Sequence, residues 1–248
     1  MADNLLKLND DKSEVLVITS REHTSKDHNV TLNIGGCNVT PGDEPPRNLG
    51  VLFDSTLGLK QHINKLCKSI NYNIYSIGKI RKYINKPAAE MLVNAIVTSK
   101  MDYCNSLLYG IKKYHLDQLQ RCQNSAARVV SLTRKHDHIS PVLRDLHWLP
   151  VRKRIDFKIL LITYKCIHGE APHYLEELLV QYKPVRCLRS QNQHLLEVPK
   201  RRLENFGGRA FQYAAPHLWN ALPLDIRLAP STNVFKSKLK THFFNVSC

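Results

Sequence analysis

The sequence predicts an α+β protein that is mainly α, with a small antiparallel sheet followed by a helical bundle and further helices. Apolar residues alternate with polar ones near the start of the chain, as strands require. From Ser55 onward they recur at steps of three and four, the spacing of amphipathic helices. Hydrophobic residues make up 43% of the 248 residues, so the chain is long and apolar enough to bury a sizeable core.

Three stretches near the start predict the strands. Ser13 to Thr19 is rich in Val and Ile, and "NVTLNIGGCNVT" alternates on both sides of two glycines, as a hairpin does. "NLGVLFD", which follows two prolines, predicts another short strand. We assign residues 1–57 to this sheet region.

Three amphipathic helices are predicted in the next region, residues 58–135. The first carries a stripe of isoleucines and leucines, with lysines mostly off the stripe. Pro87 fits the first turn of the second helix, where its missing N–H costs nothing. The three helices run from about 59 to 84, from Pro87 to near Gly110, and from about 114 to 133. Their short connections predict a bundle.

The remaining region, residues 136–248, is less regular and basic. Four stretches predict further helices: "RKRIDFKILLITYKCIHG", "APHYLEELLVQY", "GRAFQYAAPHLWNAL" and "STNVFKSKLKTHFF". Residues 183–208 lack periodicity and predict loop or short strands. Trp148 and Trp219 have Leu-rich neighbours, which favours packing in a core over stacking on bases.

Charge points to a polyanionic partner. The chain has 36 Lys and Arg against 21 Asp and Glu, a formal net charge of +15, which attracts nucleic acid before specific contacts form. Basic clusters fall at predicted element ends and in loops, several beside tyrosines that could stack on bases. Solvated helix faces give the same pattern. The candidates are Lys79, Arg81, Lys82, Lys112, Lys113, Arg134, Lys135, Arg152, Lys153, Arg154, Lys200, Arg201 and Arg202.

Enzymatic and metal motifs are missing from the sequence. It contains no phosphate-binding glycine loop, no nucleophile elbow and no H-E-x-x-H, so we assign no catalytic residue. The histidines and seven cysteines lack the paired spacing of a zinc site, so we assign no metal ligand. Asp10 and Asp11 could bind Mg²⁺, but adjacent acids in a turn also simply solvate or bond backbone N–H groups.

Cellular location follows from two further patterns. No apolar run approaches the roughly 18 residues that a membrane span needs, and no basic-then-apolar leader is visible. The cysteines are odd in number and lack a C-x-x-C pair, which favours reduced thiols. We expect an intracellular protein of the nucleus or cytoplasm, neither secreted nor bound to a membrane.

Several sequence segments resemble the reverse transcriptases (RNA-directed DNA polymerases) of jockey-like non-LTR retrotransposons, a class of transposable element. "LKLNDDKSEVLVI" is similar to the segment after their aromatic-x-Asp-Asp motif, and "NLGVLFDSTL" to their primer grip. "MDYCNSLLYG", "LQRCQNSAARVV", "LHWLPVRKRIDFKILLITYK" and "RLENFGGRAFQYAAPHLWNALPLDIR" are similar to their thumb and C-terminal region. The resemblance runs essentially end to end.

The resemblance implies a domain order and a few site residues. Residues 1–57 would be the end of the palm, residues 58–135 the thumb, and residues 136–248 the C-terminal region. Lys12 would face the incoming nucleotide, and Leu49, Gly50 and Val51 would form the primer grip. Lys12 could equally be a surface cation, and Gly50 could mark a bulge or tight turn.

The resemblance also implies that the catalytic aspartates of the family lie upstream of Leu6. The intact enzymes use two Mg²⁺ ions held by those aspartates for nucleotidyl transfer. We therefore expect a truncated polymerase that is inactive alone, has no cofactor of its own, and still binds RNA/DNA hybrid or duplex without sequence preference. A palm sheet without its neighbours would expose a face and edges that favour self-association.

Two alternatives remain at this point. The chain could be a helical protein-interaction scaffold derived from a retroelement, binding a partner through apolar faces. It could also be an untranslated gene-model fragment.

Overall fold

The structure, a computed structural model, describes residues 13–19, 30–34, 36–42, 44–184, 193–200 and 207–246. The fold is mainly helical with short antiparallel strands, which confirms the predicted fold class. The chain divides into two compact units, residues 1–68 and 69–248, where the sequence suggested three regions.

The described residues of the first unit form two separate β-hairpins in place of one sheet. β1 (Leu32–Ile34) pairs with β2 (Cys37–Val39), and β3 (Arg47–Asn48) pairs with β4 (Val51–Leu52), both antiparallel. The hairpin predicted around the two glycines is confirmed. "NLGVLFD", predicted as one strand, contributes to a complete hairpin, because Leu49 and Gly50 make a tight turn between β3 and β4.

The strand predicted from Ser13 to Thr19 is not formed. Val15 makes one isolated parallel bridge with Pro41, and the Thr19 N–H donates to the Ser55 carbonyl over 2.9 Å. Each hairpin strand is only two or three residues long, so it offers little edge for a third strand. The Val- and Ile-rich run has the propensity for a strand, but the described residues of this unit offer it no edge to pair with beyond the Val15 bridge.

The helix α1 (Lys60–Ile80) contains the boundary between the two units and confirms the first predicted helix. In its second half Ile70, Ile74 and Ile77 are buried, as the predicted stripe requires. A single 3₁₀ turn, Arg81–Tyr83, follows it.

The second predicted helix begins where expected but ends early. α2 (Lys86–Val93) has Pro87 in its first turn, and the Asn85 side chain accepts from the Ala88 N–H over 2.9 Å. It continues through a π-helical stretch (Asn94–Thr98) into α3 (Ser99–Asp102). Cys104, with φ of 50°, turns the chain out of the helix before Gly110.

The later helices follow the predicted order with three exceptions, of which the first is that the short helix at Ser140–Asp145 was not predicted. The stretch "APHYLEELLVQY" forms only one short helix, because the chain after it is extended: Gln181 bridges to Leu196, and the Tyr182 N–H donates to the Leu195 carbonyl. A short helix after Pro223 was not predicted. These helices are α4 (Lys113–Ser131), α5 (Ser140–Asp145), α6 (Val151–Ile167), α7 (His173–Glu176), α8 (Phe211–Asn220), α9 (Leu224–Arg227) and α10 (Thr232–Val246).

Two glutamines of α4 fix the start of α6. Gln120 Oε1 accepts from the Val151 N–H over 2.9 Å, and Gln123 Nε2 donates to the Leu149 carbonyl over 2.8 Å. The Val151 N–H belongs to the first turn of α6, where no intrahelical acceptor exists, so Gln120 acts as its cap. α4 and α6 therefore pack as one body across residue 135, where the sequence suggested a boundary between regions.

A hydrophobic core lies between α6, α8 and α10. Trp219 and Tyr164 are both buried in it, Phe235 stacks on Tyr164 with ring centroids 4.4 Å apart, and the Tyr164 hydroxyl donates to the Ala229 carbonyl over 2.7 Å. Trp148 is buried as well. Both tryptophans pack inside the protein, which confirms the prediction for them.

Candidate nucleic-acid interface

An exposed face of tyrosines and lysines covers the end of α1 and the 3₁₀ turn after it. We call it the tyrosine–lysine face: Tyr72, Tyr75, Lys79, Lys82 and Tyr83. Positions 72, 75 and 79 follow one side of the helix, opposite the buried isoleucine stripe. The tyrosines are 71%, 62% and 75% exposed in chain order, although large aromatic residues are usually buried or half-buried.

Two lysines of this face lie over neighbouring rings. Lys79 Nζ is 4.6 Å from the centroid of the Tyr75 ring, and Lys82 Nζ is 4.8 Å from that of Tyr83. Exposed cation–π contacts of this length are weak, about 0.5–1 kcal/mol, so they orient the side chains without removing them from solvent. Ammonium groups beside exposed rings suit a phosphate backbone whose bases stack on the rings.

Arg81 lies in the middle of this stretch but is not part of the face, which corrects its assignment as a phosphate-binding residue. It is only 8% exposed, and its guanidinium donates to the carbonyls of Val129, Val130 and Ile84 over 2.7–2.9 Å. Val129 and Val130 belong to the last turn of α4, whose carbonyls lack intrahelical donors. Arg81 therefore caps α4, and its burial keeps the guanidinium away from a phosphate at the surface.

The basic triplet that opens α6 is divided in the same way. Arg154 Nη1 is 2.7 Å from Asp102 Oδ2, and its Nε donates to the Leu149 carbonyl, so it serves the packing of the protein. Lys153 lies over the Phe243 ring at 4.9 Å. Arg152 is exposed in the first turn of α6 and stays available for an anion.

The other predicted cations lie on the surface or beyond the described residues. Lys112, Lys113, Arg134, Lys135 and Lys200 are exposed. Lys12, Arg201 and Arg202 lie outside the described residues.

The predicted primer-grip residues Leu49 and Gly50 form the turn between β3 and β4, and Val51 is the first residue of β4. Leu49 has φ of 45° and is 82% exposed, Gly50 has φ of 87°, and Val51 is buried. Positive φ at both central positions defines a type I′ hairpin turn, in which glycine is strongly favoured. The turn accounts for Gly50 without any ligand, as the alternative interpretation held.

A cavity of about 620 Å³ opens beside the starts of α4 and α6 and was not predicted from the sequence. Lys113 and Arg152 line it, as do Asp156, Tyr213 and His217. Asp156 lies two residues after the basic triplet. From the sequence alone it looks like any solvent-exposed acid on a helix surface. The tertiary packing of α4, α6 and α8 brings these groups together, so no local pattern could have shown them.

Asp156 is the most unusual side chain of this cavity because it is an acid at only 8% exposure. Burial raises its pKa above the ordinary value, and the charges of Lys153 and Arg152 oppose that shift. The Lys153 Nζ lies 3.9 Å from Asp156 Oδ2, which is beyond hydrogen-bond length. The free-energy cost of removing this carboxyl group from water is therefore only partly offset, because no cation lies within hydrogen-bond length of it.

Two negative findings concern only the described part of the chain. Among these residues, no helix is long and apolar enough to cross a membrane. No three side chains of His, Cys, Asp or Glu in the described ranges come together as a metal site would require.

No protein-family model, curated protein or solved structure matches this chain significantly.

Proposed function

We propose that the chain is a nucleic-acid-binding part of an RNA-directed DNA polymerase from a non-LTR retrotransposon, which holds a template–primer duplex without sequence preference. The observation that carries the proposal is the tyrosine–lysine face, where three strongly exposed rings lie together with two lysines, each lysine over one ring. The net charge of +15 supports it, as does the resemblance of the six sequence strings. The proposal assigns no nucleotidyl transfer to the tyrosine–lysine face, because none of its five side chains is a carboxylate that could hold a metal ion.

The electrostatic part of the proposal is tested by removing charge from the face. Binding of a labelled RNA/DNA hybrid is measured by fluorescence anisotropy over a series of salt concentrations, with Lys79→Gln/Lys82→Gln and with wild type. If both lysines contact phosphates, the plot of log binding constant against log salt concentration becomes shallower in the variant, its slope smaller in magnitude by about 2.

A matched control removes the same charge elsewhere. Lys236 and Lys240 lie on α10, away from the tyrosine–lysine face in the sequence and without exposed aromatic neighbours on their helix. Lys236→Gln/Lys240→Gln changes net charge equally and should leave the slope nearly unchanged. Equal slopes for the two double variants would show that the attraction is diffuse and that the face is not the contact.

The stacking part is tested with single-stranded nucleic acid. Tyr72→Ala/Tyr75→Ala should weaken binding by about 1–3 kcal/mol for each base that stacks. Tyr174→Ala removes a ring that is also strongly exposed, but on α7, and serves as the control. If wild-type protein fails to bind hybrid or single strand even at low salt, the proposed function is wrong. A stable complex with a protein partner that survives nuclease treatment would then favour the scaffold hypothesis.

A further inference from the structure

The cavity beside α4 and α6 has the size and the lining of a small-ligand site. Its volume of about 620 Å³ falls within the range of roughly 300–1,000 Å³ typical of such sites. Four buried aliphatic side chains form part of its wall. They are Leu108, Ile111, Val151 and Ile155.

One side of the cavity is suited to an anion. Lys113 and Arg152 occupy the first turns of α4 and α6, and both side chains are exposed. The two helices are 19 and 17 residues long, so the positive ends of two helix dipoles reinforce these cations. A phosphate group would meet positive potential from side chains and backbone together.

Another part of the lining is suited to a hydrogen-bond donor. The Asp156 side chain is 11% exposed, and its Oδ2 lies 3.9 Å from Lys153 Nζ. A buried carboxylate gains from donors that come within hydrogen-bond length. A ligand that brings N–H groups to Asp156 would supply them.

Rings complete the lining on the α8 side. Tyr213 and His217 stack on each other with centroids 5.9 Å apart and ring planes 19° apart. A flat heteroaromatic group could lie against these rings and the aliphatic wall. Phosphate, N–H donors and a flat ring together describe a nucleotide.

We propose that the cavity receives one unpaired nucleotide of a bound strand, with its phosphate held by Lys113 and Arg152 and its base N–H groups donating hydrogen bonds to the Asp156 carboxylate. The proposal rests on the proposed function and deepens it. Guanine is the preferred base, because its Watson–Crick edge presents two adjacent N–H donors to the two oxygens of one carboxylate. A blunt duplex has no unpaired base to offer and engages only the outer surface.

The test compares hybrids that differ only at one end. Anisotropy is measured for blunt RNA/DNA hybrids and for hybrids with a single unpaired G, A, C or T at the end of the DNA strand. We expect the G overhang to bind roughly tenfold more tightly than the blunt hybrid, a typical discrimination for one bidentate base contact. Asp156→Asn should remove that advantage and leave affinity for the blunt hybrid unchanged.

Asp117 provides the matched control, since it lines the same cavity but is exposed. Asp117→Asn removes the same charge and should keep the preference for G. Thermal unfolding of both variants shows that each is folded.

Different failures lead to different conclusions. Equal affinity for blunt and overhanging hybrids overturns the nucleotide cavity while duplex binding stands. No binding of any hybrid overturns the proposed function itself. Guanosine 5′-monophosphate alone distinguishes the source of the ligand. If guanosine 5′-monophosphate binds the wild-type protein tightly but does not displace the overhanging hybrid from it, the cavity takes a free nucleotide. The assignment of the cavity to a strand end is then wrong.

Discussion

Gly110 lies directly against the side chain of Arg209. A methyl group on Gly110 would come within 2.6 Å of Arg209 Cγ, and Gly110 has φ of +68°. Arg209 Nε also donates to the Tyr109 carbonyl over 3.1 Å, and its Nη2 to the Leu107 carbonyl over 3.3 Å. The turn before α4 and the start of α8 are thus joined, and both residues line the proposed nucleotide cavity.

Replacing Gly110 should therefore cost more than its backbone conformation alone. Gly169 has nearly the same φ, +67°, but a methyl group there meets nothing within 4 Å, so Gly169→Ala isolates the backbone cost of about 1–2 kcal/mol. Gly110→Ala adds a steric term of about 1–3 kcal/mol, because Arg209 must move. Urea unfolding of both variants measures the difference. Equal losses of stability would mean that Arg209 adapts freely.

Arg81 and Lys82 should behave in opposite ways despite being neighbours with the same charge. Arg81→Gln breaks buried hydrogen bonds to the end of α4 and should cost at least about 1.5–3 kcal/mol of unfolding free energy, typical of bonds from charged groups. Lys82→Gln changes an exposed side chain and should stay within about 0.5 kcal/mol. Urea unfolding checks both values. A loss of less than about 0.5 kcal/mol for Arg81→Gln would show that water replaces the hydrogen bonds of the guanidinium.

The contrast between Arg81 and Lys82 also shows what the sequence could predict. The isoleucine stripe of α1 was predictable because its apolar residues recur locally with the 3.6-residue period of a helix. The role of Arg81 was not, since its acceptors Val129 and Val130 lie 48 and 49 residues away. Arg154 is similar, because its carboxylate partner Asp102 is 52 residues distant. Surface cations and buried capping cations look alike until the fold brings their partners to them.

The cavity could not be predicted from the sequence for the same reason, since distant residues form it. The absence of the first predicted strand has a related cause. Asp156 becomes a buried acid only when α6 packs among its neighbours. Residues 13–19 have strand propensity, but a strand also needs an edge to pair with, and pairing depends on the rest of the chain. Helices satisfy their own backbone hydrogen bonds, which explains why the helical part was predicted better than the strands.

Asp54 should make the stability of the first unit depend on pH. Its Oδ1 accepts from Thr56 Oγ1, from the Thr56 N–H and from the Gly58 N–H over 2.7, 3.1 and 2.8 Å. Burial raises the pKa of Asp54, but these hydrogen bonds outweigh burial and hold the pKa below its ordinary value. A depressed pKa in the folded state stabilises the fold above the unfolded pKa, and this contribution is lost as pH falls through the folded value.

Asp54→Asn should therefore be less stable than wild type at neutral pH. The gap should begin to close as pH falls below about 4, where the unfolded carboxylate takes up a proton, and it should narrow further through the lower folded pKa. Chemical unfolding at a series of pH values measures it. A gap that stays constant down to the lowest pH would show that the charge of Asp54 contributes nothing.

Asn220 should control the exchange of a backbone segment with solvent. Its Oδ1 accepts from the Leu196 N–H over 2.9 Å, and its Nδ2 donates to the Leu196 carbonyl over 2.8 Å, so one side chain satisfies both backbone groups of a buried residue. Asn220→Ala leaves these groups buried without partners, at a cost of about 1–3 kcal/mol. We expect the Leu196 amide to exchange roughly 5- to 150-fold faster in hydrogen–deuterium exchange if the segment opens locally. Asn245→Ala, at an exposed position of α10, should leave that rate unchanged. Unchanged exchange in Asn220→Ala would instead mean that the Trp219 Nε1 bond to the His194 carbonyl holds the segment by itself.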